Sequence, residues 1–308
     1  MLLSIVIPVY NEAENLPLLY DKLLNLQLKD INKEILFIDD NSTDNTPDLL
    51  EKICIENPNF NFLRLSKNSG SHIAILAGMY YCKGDAIVFM AGDLQDPPEL
   101  IANMISDWQN GSDVVWAVRE NIEGISFFSR FFSKSFYFLM NSFANVKLPP
   151  SGADFALLDK KVAKAVLQCA GSNPSLGGLI ASVGFKQTEI TYVKQARVHG
   201  KSKWTLNKKL QAFIDAFVAF SFAPMRIMIY LGMTVSAIGF LYAIFIILLR
   251  LFFIKQIDGW ASIMVAVLFI GGIQMLMIGT LGEYLWRNLE ESRKKPLFFI
   301  EKKSNKIQ

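Results

Sequence analysis

The chain has 308 residues, 52% of them apolar and 19% charged, a composition that excludes disorder and low-complexity linkers and demands a folded body together with something greasy. Its 31 basic and 28 acidic residues leave a net charge of only +3, which argues against a nucleic-acid partner. Three cysteines without a CxxC pair (Cys54, Cys82, Cys169) fit neither a disulfide framework nor a zinc ribbon and suit reduced thiols, and two histidines leave a Ser-His-Asp triad unsupported.

Residues 1 to about 200 alternate as in a parallel α/β domain. Strands are expected at Ser4–Val9, Glu34–Asp39, Asn61–Leu65, Ala86–Met90 and Asp113–Ala117, and helices at Glu14–Leu26, Asn45–Glu56, Ser71–Cys82 and Pro98–Asn110. Strands this apolar suit a sheet covered on both faces. The opening MLLSIVIPVY lacks a basic region and is interrupted by Pro8, Asn11 and Glu12, so it reads as a strand and not as a signal peptide.

Further on, Ile227–Leu249 and Ala261–Gly282 are uncharged runs of 23 and 22 residues, each long enough to cross a bilayer core. Two buried helices of a soluble domain are the alternative, but such helices rarely stay uncharged around their whole circumference. Lys201, Lys203, Lys208, Lys209 and Arg226 precede the first run, and Arg287, Arg293, Lys294, Lys295, Lys302 and Lys303 follow the second. Only Arg250, Lys255 and Asp258 lie between them, so both termini are expected in the cytoplasm. Gly271, Gly272 and Gly279 would allow close helix contact within the hairpin or between subunits, and Met264, Met275 and Met277 read as lipid-facing.

Three polar clusters follow strands: Pro8-Val9-Tyr10-Asn11-Glu12, Asp39-Asp40-Asn41-Ser42-Thr43-Asp44 and Gly92-Asp93-Leu94-Gln95-Asp96-Pro97-Pro98. In an α/β sheet such strand ends converge on one ligand crevice. Helix capping is the plainer reading of Asp40-Asn41-Ser42 and of Asp93 with Asp96. No GxGxxG follows the first strand, and Gly200-Lys201-Ser202 lacks the first glycine of a P-loop because position 195 is Gln. Phosphate is therefore left to a metal and to side chains.

SIVIPVYNE (Ser4 to Glu12), FIDDNSTDNT (Phe37 to Thr46), GDLQDPPELI (Gly92 to Ile101), GADFALLD (Gly152 to Asp159) and HGKSKW (His199 to Trp204) together resemble the ordered motifs of glycosyltransferase family 2. The branch they resemble is the polyisoprenyl-phosphate glycosyltransferases, which include bactoprenol glucosyltransferases and dolichol-phosphate mannose synthases. The resemblance continues through GEYLWRNLEE (Gly282 to Glu291) and KKPLF (Lys294 to Phe298) and so covers nearly the whole chain. It implies an α/β, GT-A-like (Rossmann-like) cytoplasmic catalytic domain over residues 1–203. An interfacial amphipathic helix (204–226), a two-helix transmembrane hairpin (227–282, with spans at about 227–250 and 261–282) and a cytoplasmic basic tail (283–308) follow.

By the same resemblance, Pro8, Tyr10, Glu12 and Asp40 match residues that hold the nucleobase and ribose of a nucleotide diphosphate sugar. Asp93 matches the second Asp of the family's DxD and Gln95 the Gln beyond it, both near a divalent metal, Mg2+ or Mn2+. Asp154 matches an Asp near the transferring sugar, and Arg197, Ser202 and Lys203 match a loop that closes over donor phosphates. Asp93, Asp154 and Arg197 are the expected catalytic set. Three positions depart from the pattern: Ala91 replaces the first DxD carboxylate, Ala156 an Arg, and Gly177 a basic residue.

A lipid monophosphate has a second pKa of about 6, so it is largely dianionic and nucleophilic at neutral pH and needs no strong general base. Arg119, Arg130 and Lys134 are the candidate ligands for that acceptor phosphate. The last two stand four apart among Phe127, Phe128, Phe131, Phe132, Phe136, Tyr137 and Phe138, as on a membrane-interface helix; a core helix with snorkelling cations is the alternative. Within 204–222, Leu206, Leu210, Phe213, Ile214 and Phe217 recur at helical spacing, either as an interfacial helix or as a linker helix.

The function expected is transfer of one sugar, with inversion, from a UDP-sugar such as UDP-glucose to undecaprenyl phosphate in the bacterial inner membrane. The product would serve lipopolysaccharide, O-antigen or envelope glycan modification, and the enzyme is expected to be a homo-oligomer. A catalytically impaired nucleotide-sugar-binding scaffold is the alternative, motivated by Ala91, Ala156 and Gly177. A processive polysaccharide synthase is disfavoured by the missing QxxRW motif.

Overall fold

The structure is a computed structural model that describes residues 1–120, 154–171, 175–195, 223–252, 259–304 and 307. Arg130, Lys134, Arg197, Ser202, Lys203, His199, the aromatic stretch Phe127–Phe138 and the amphipathic segment 204–222 lie outside the described residues. The chain divides into two compact units, Met1–Phe217 with Pro296–Gln308, and Val218–Lys295.

The first unit is built on β1 (Leu2–Val9), α1 (Leu16–Asn25), β2 (Asn32–Asp39), α2 (Thr46–Glu56), β3 (Phe60–Leu65), α3 (Ser71–Tyr81), β4 (Ala86–Phe89), α4 (Ile101–Gln109) and β5 (Val114–Arg119). These nine elements match the expected alternation to within a few residues. They are followed by β6 (Ala156–Asp159), α5 (Lys160–Cys169), α6 (Leu176–Ser182) and β7 (Gln187–Tyr192), which apolar patterning had not outlined. One sheet of eight strands results, in the order β7-β5-β6-β4-β1-β2-β3-β8, where β8 is Ile300–Lys303.

The sheet is mixed. β1, β2, β3 and β4 are parallel, and β5 and β7 run in the same direction, whereas β6 opposes β4 and β5, and β8 opposes β3. The carboxyl ends of six strands therefore share one edge with the amino ends of β6 and β8. Residues 283–308, expected as one basic tail, divide accordingly: a helix continues to Ser292 and β8 covers the edge of β3. A covered edge also removes an open template for strand pairing.

Apolar runs in β1, β2, β4 and β5 are buried almost throughout, as a sheet packed on both faces requires. Pro8 is tolerated in this interior strand because its missing N–H lies on the β4 side, just past the point where that ladder ends at Val6 and Phe89. Helix α3 lies close over the sheet at Gly78, where an added Cβ would stand 2.2 Å from Val6 Cγ1 and 3.3 Å from Ile38 Cγ1. All three cysteines are free thiols, and burial pushes Cys82 up to about 12.

The second unit contains α7 (Ala223–Phe252) and α8 (Trp260–Ser292). Each carries a stretch long and apolar enough to cross a membrane, Ile227–Leu248 and Ile263–Ser292. Ile229, Phe240, Phe245, Phe269 and Met275 are exposed on these helices, an arrangement opposite to that of a soluble core helix. Met277, expected to face lipid, instead approaches Gly232 of the other helix; a Cβ there would lie 3.6 Å from Met277 Cε. Gly271, Gly272 and Gly279 have no such neighbour in the hairpin.

Replacing Gly78 by Ala is expected to destabilise the first unit by about 1–3 kcal/mol through overpacking against Val6, read as a lowered melting temperature of the purified protein.

Candidate active site

The ends of β1 and β2 are tied to each other by their own polar side chains. Asn11 donates its backbone N–H to Ser42 Oγ (2.9 Å), and Thr43 donates its N–H to Asn11 Oδ1 (2.8 Å). Glu12 donates its N–H to Thr46 Oγ1 (3.0 Å), and Ala13 its N–H to Asp44 Oδ2 (3.3 Å). Asn11 and Asn41 adopt left-handed backbone angles (φ 52° and 61°), which asparagine tolerates better than most residues. The side chain of Glu12 turns back to accept from Asn15 Nδ2 (2.6 Å).

Beneath these loops lie two buried carboxylates. Asp39 accepts from Arg64 Nη1 (2.8 Å) and from the Ser42 N–H (2.9 Å). Asp40 accepts from the N–H groups of Ser69 (2.7 Å) and Gly70 (2.8 Å). Burial raises the Asp40 pKa and the neighbouring Asp39 adds to this, while the two backbone bonds oppose it. Gly70, at φ 89°, allows the chain to present that N–H and then enter α3. Capping does not explain this cluster: Asn45 precedes α2 without a side-chain cap, and the Asp40 and Ser42 side chains bond across loops.

The turn after β4 has one strained residue, Leu94 (φ 62°), buried between Asp93 and Gln95. A large side chain in the left-handed region costs on the order of 1–2 kcal/mol, a type of strain that gathers at functional sites. Asp93, 8% exposed, accepts the Gln95 N–H at 3.2 Å. Gln95 in turn pairs with the segment after β7: Gln195 donates its N–H to the Gln95 carbonyl (3.0 Å), and Gln95 Nε2 donates to the Gln195 carbonyl (3.3 Å).

Asp96, expected from sequence in a strand-end cluster or as a helix cap, is fully buried. It caps nothing here; it accepts from the Ala91 N–H (3.2 Å) and from Tyr192 Oη (2.6 Å). Burial raises the Asp96 pKa, against the pull of the Tyr192 hydrogen bond, Lys194 and Arg119. Arg119 Nε reaches Tyr192 Oη at 3.4 Å, and Arg119 Nη2 pairs with Asp154 Oδ2 at 2.7 Å. Burial works against the Arg119 charge, but Asp154, Tyr192 and Asp96 outweigh it and hold the guanidinium above its ordinary range. Lys194 shares this field: burial and the Arg119 charge lower its pKa, with Asp96, Asp93 and Asp154 opposing.

Of the residues expected at the site, the fold brings Asp93, Gln95, Asp154 and Arg119 together at the β4, β5 and β6 side of the edge. Pro8, Tyr10, Glu12 and Asp40 gather at the β1 and β2 side. Asp154 arrives there because β6 runs against its neighbours, so the residue two before it emerges beside the carboxyl end of β5. Tyr192 and Lys194 were missed. Their signal would have been a strand over 187–192, and its partly exposed pattern hid it.

Among the described residues, no group of three or more His, Cys, Asp or Glu side chains is placed to hold a metal ion. Asp93 and Gln95 offer hard oxygen donors of the type Mg2+ or Mn2+ prefers, too few by themselves and completed only by oxygens of a bound diphosphate. Asp96 does not stand in for the carboxylate missing at Ala91, because both of its oxygens are engaged inside the fold.

The strand ends thus carry an acidic turn at Asp93 with the Arg119 and Lys194 cations beside it, on a mixed α/β sheet. The sequence model for Glycosyl transferase family 2 matches residues 4–167, and that for the GtrB C-terminal hairpin matches residues 223–287. The chain belongs to glycosyltransferase family 2 and is a glycosyltransferase. It is 38% identical over 301 residues to the uncharacterized glycosyltransferase YkcC of Bacillus subtilis, covering 97% of this chain and 93% of that one. Identity to the prophage bactoprenol glucosyl transferase homolog of Escherichia coli is 34% over 303 residues, covering 98% and 99%. With the bactoprenol glucosyl transferase of Shigella phage SfV it is 33% over 307 residues, covering 99% and 100%.

Replacing Tyr192 by Phe is expected to cost about 1–3 kcal/mol where Asp96 is ionised, because the buried carboxylate is left with one donor fewer. The lost bond favours the ionised carboxylate, so the variant's Asp96 pKa rises further above its unfolded value. The deficit is therefore largest above both native pKa values and shrinks as pH falls through them, which melting temperatures measured from neutral to acid pH will show.

Proposed function

We propose that the protein transfers one sugar, with inversion, from a UDP-sugar to undecaprenyl phosphate at the cytoplasmic face of the bacterial inner membrane. The observation that carries this reading is the pairing of two anion-handling groups at one sheet edge. Asp93 and Gln95 suit a metal-bound diphosphate, and Arg119 with Lys194 suit a second, separate phosphate. The lipid acceptor is supported by full-length likeness to proteins named bactoprenol glucosyl transferases and by two apolar helices in a GtrB-type hairpin.

In the reaction, an oxygen of the dianionic lipid phosphate forms a bond to the anomeric carbon while the bond from that carbon to the nucleotide diphosphate breaks. The acceptor arrives already ionised, so no side chain has to remove a proton. A divalent cation bound with the donor would neutralise the leaving diphosphate, with Asp93 and Gln95 holding it. Arg119 exchanges its Asp154 partner for the acceptor phosphate, which a planar guanidinium grips in two places. Asp154, released, faces the sugar. On the other side of the crevice, Tyr10, Glu12 and the Asp40-ordered loop receive the nucleoside.

The strand before the hairpin and the strand after it belong to one sheet, which supports a hairpin that leaves and returns on the same side of the membrane. The basic flanks favour the cytoplasm as that side. The hairpin glycines without a neighbour, Gly271, Gly272 and Gly279, support association between copies. A second reading, a scaffold that binds donor without turnover, is favoured by the departures at Ala91, Ala156 and Gly177.

A transfer assay on the purified protein in detergent, with undecaprenyl phosphate, Mg2+ or Mn2+ and a panel of UDP- and GDP-sugars, is expected to yield glycolipid from UDP-glucose in equal amount to released UDP. Nucleotide binding without glycolipid from any donor would favour the scaffold. Asp93→Asn is expected to lower turnover by about 10²-fold or more, and full activity would remove it from the metal site. Arg119→Gln is expected to raise the Michaelis constant for lipid phosphate about tenfold or more, the worth of one charge-assisted hydrogen bond, with little change for the donor.

A further inference from the structure

The strand that follows the membrane hairpin reaches the donor side of the crevice. β8 pairs with β3 at Leu63 with Lys303 and Arg64 with Lys302, then at Leu65 with Ile300, so Glu301 is an extra residue at a β-bulge. A bulge re-aims the side chain it carries, and this one turns the Glu301 carboxylate to Arg64 Nε (3.0 Å), with Asn41 Nδ2 at 3.4 Å. Arg64 is a three-way hub. Its Nη1 donates to buried Asp39 (2.8 Å) and its Nη2 to the Ser42 carbonyl (3.1 Å), while Asp39 also accepts the Ser42 N–H. Ser42 then accepts from the N–H of Asn11. Six hydrogen bonds therefore join Glu301 to the two loops assigned to the nucleoside.

We infer that Glu301 is a positioning residue for nucleotide-sugar binding: by fixing the Arg64 fork it sets the Ser42–Thr43 loop against Asn11–Glu12. The inference rests on the functional reading above, since it takes that crevice as the donor site. It also means that the hairpin's return strand completes the donor pocket. Glu301 is not needed to hold β8 in place. Ser66 donates its N–H to the Phe299 carbonyl (2.9 Å), Ser304 its N–H to the Phe62 carbonyl (3.0 Å) and its hydroxyl to Asn61 Oδ1 (3.1 Å), and Lys302 pairs with Glu51.

The test uses the full-length protein with Glu301→Gln, Arg64→Met and the double variant. UDP affinity is read by calorimetry, and amide hydrogen exchange is read without ligand. Glu301→Gln is expected to weaken UDP binding about two- to fivefold, the range over which an exposed ion pair shifts an equilibrium, and to speed exchange at residues 41–46 and 11–13. Exchange in β5 and α4 should stay unchanged, as should the Michaelis constant for lipid phosphate. In the Arg64→Met background Glu301→Gln should add nothing. Additive losses, or unchanged loop exchange with only a lower melting temperature, would overturn the inference. If the parent protein binds no UDP, the functional reading fails, and the exchange data still decide whether Glu301 orders the loop.

Discussion

Two adjacent carboxylates, Asp39 and Asp40, are buried at the carboxyl end of β2, and a buried charge must find donors or neutralise. The donors they find organise half of the crevice. Asp40 draws the Ser69 and Gly70 N–H groups and so fixes where α3 begins; Asp39 draws Arg64 and the Ser42 N–H and so fixes the loop before α2. That loop in turn holds the end of β1 through Asn11 and Glu12. Loops between parallel strands would otherwise be the mobile parts of such a fold. Here they are held by charge compensation before any ligand arrives, which lowers the ordering cost of binding.

The other half is built on the same constraint with different partners. Asp96 sits fully buried and is satisfied by the Ala91 N–H and Tyr192, which places the Tyr192 hydroxyl within reach of Arg119. The Asp93-Leu94-Gln95 turn, strained at Leu94, is pinned between that buried carboxylate and the strand-like pairing with Gln195. The polar side chains at this part of the edge are thus attached to a framework of inward-facing acids. Arg119 and Asp154 stand close together, so the partly buried guanidinium has its charge compensated within the fold.

Much of the fold was legible. Alternating β-branched runs and helical periods outlined nine elements of the catalytic unit to within a few residues, because a sheet covered on both faces imposes continuous apolar strands. The polar clusters at the ends of β1, β2 and β4 marked the crevice for the same reason that they could be mistaken for caps: Asp, Asn and Ser suit both tasks. What failed to show were the short β6, the partly exposed β7 and the polar β8, whose residues alternate weakly or lie at an edge. Tyr192, Lys194 and Glu301 were consequently missed, and Met277 was assigned to lipid when it approaches Gly232.

The sequence by itself determined the alternation of strands and helices, the two apolar helices and the identity of the strand-end motifs, since each depends on periodicity or on residues close together in the chain. Only the tertiary structure decided that β6 and β8 run against the sheet. That reversal of direction brings Asp154 to Arg119 and Glu301 to Arg64 across 35 and 237 residues. Local propensity carries no information about the direction in which a distant strand enters a sheet. Direction depends on contacts between residues far apart in the chain.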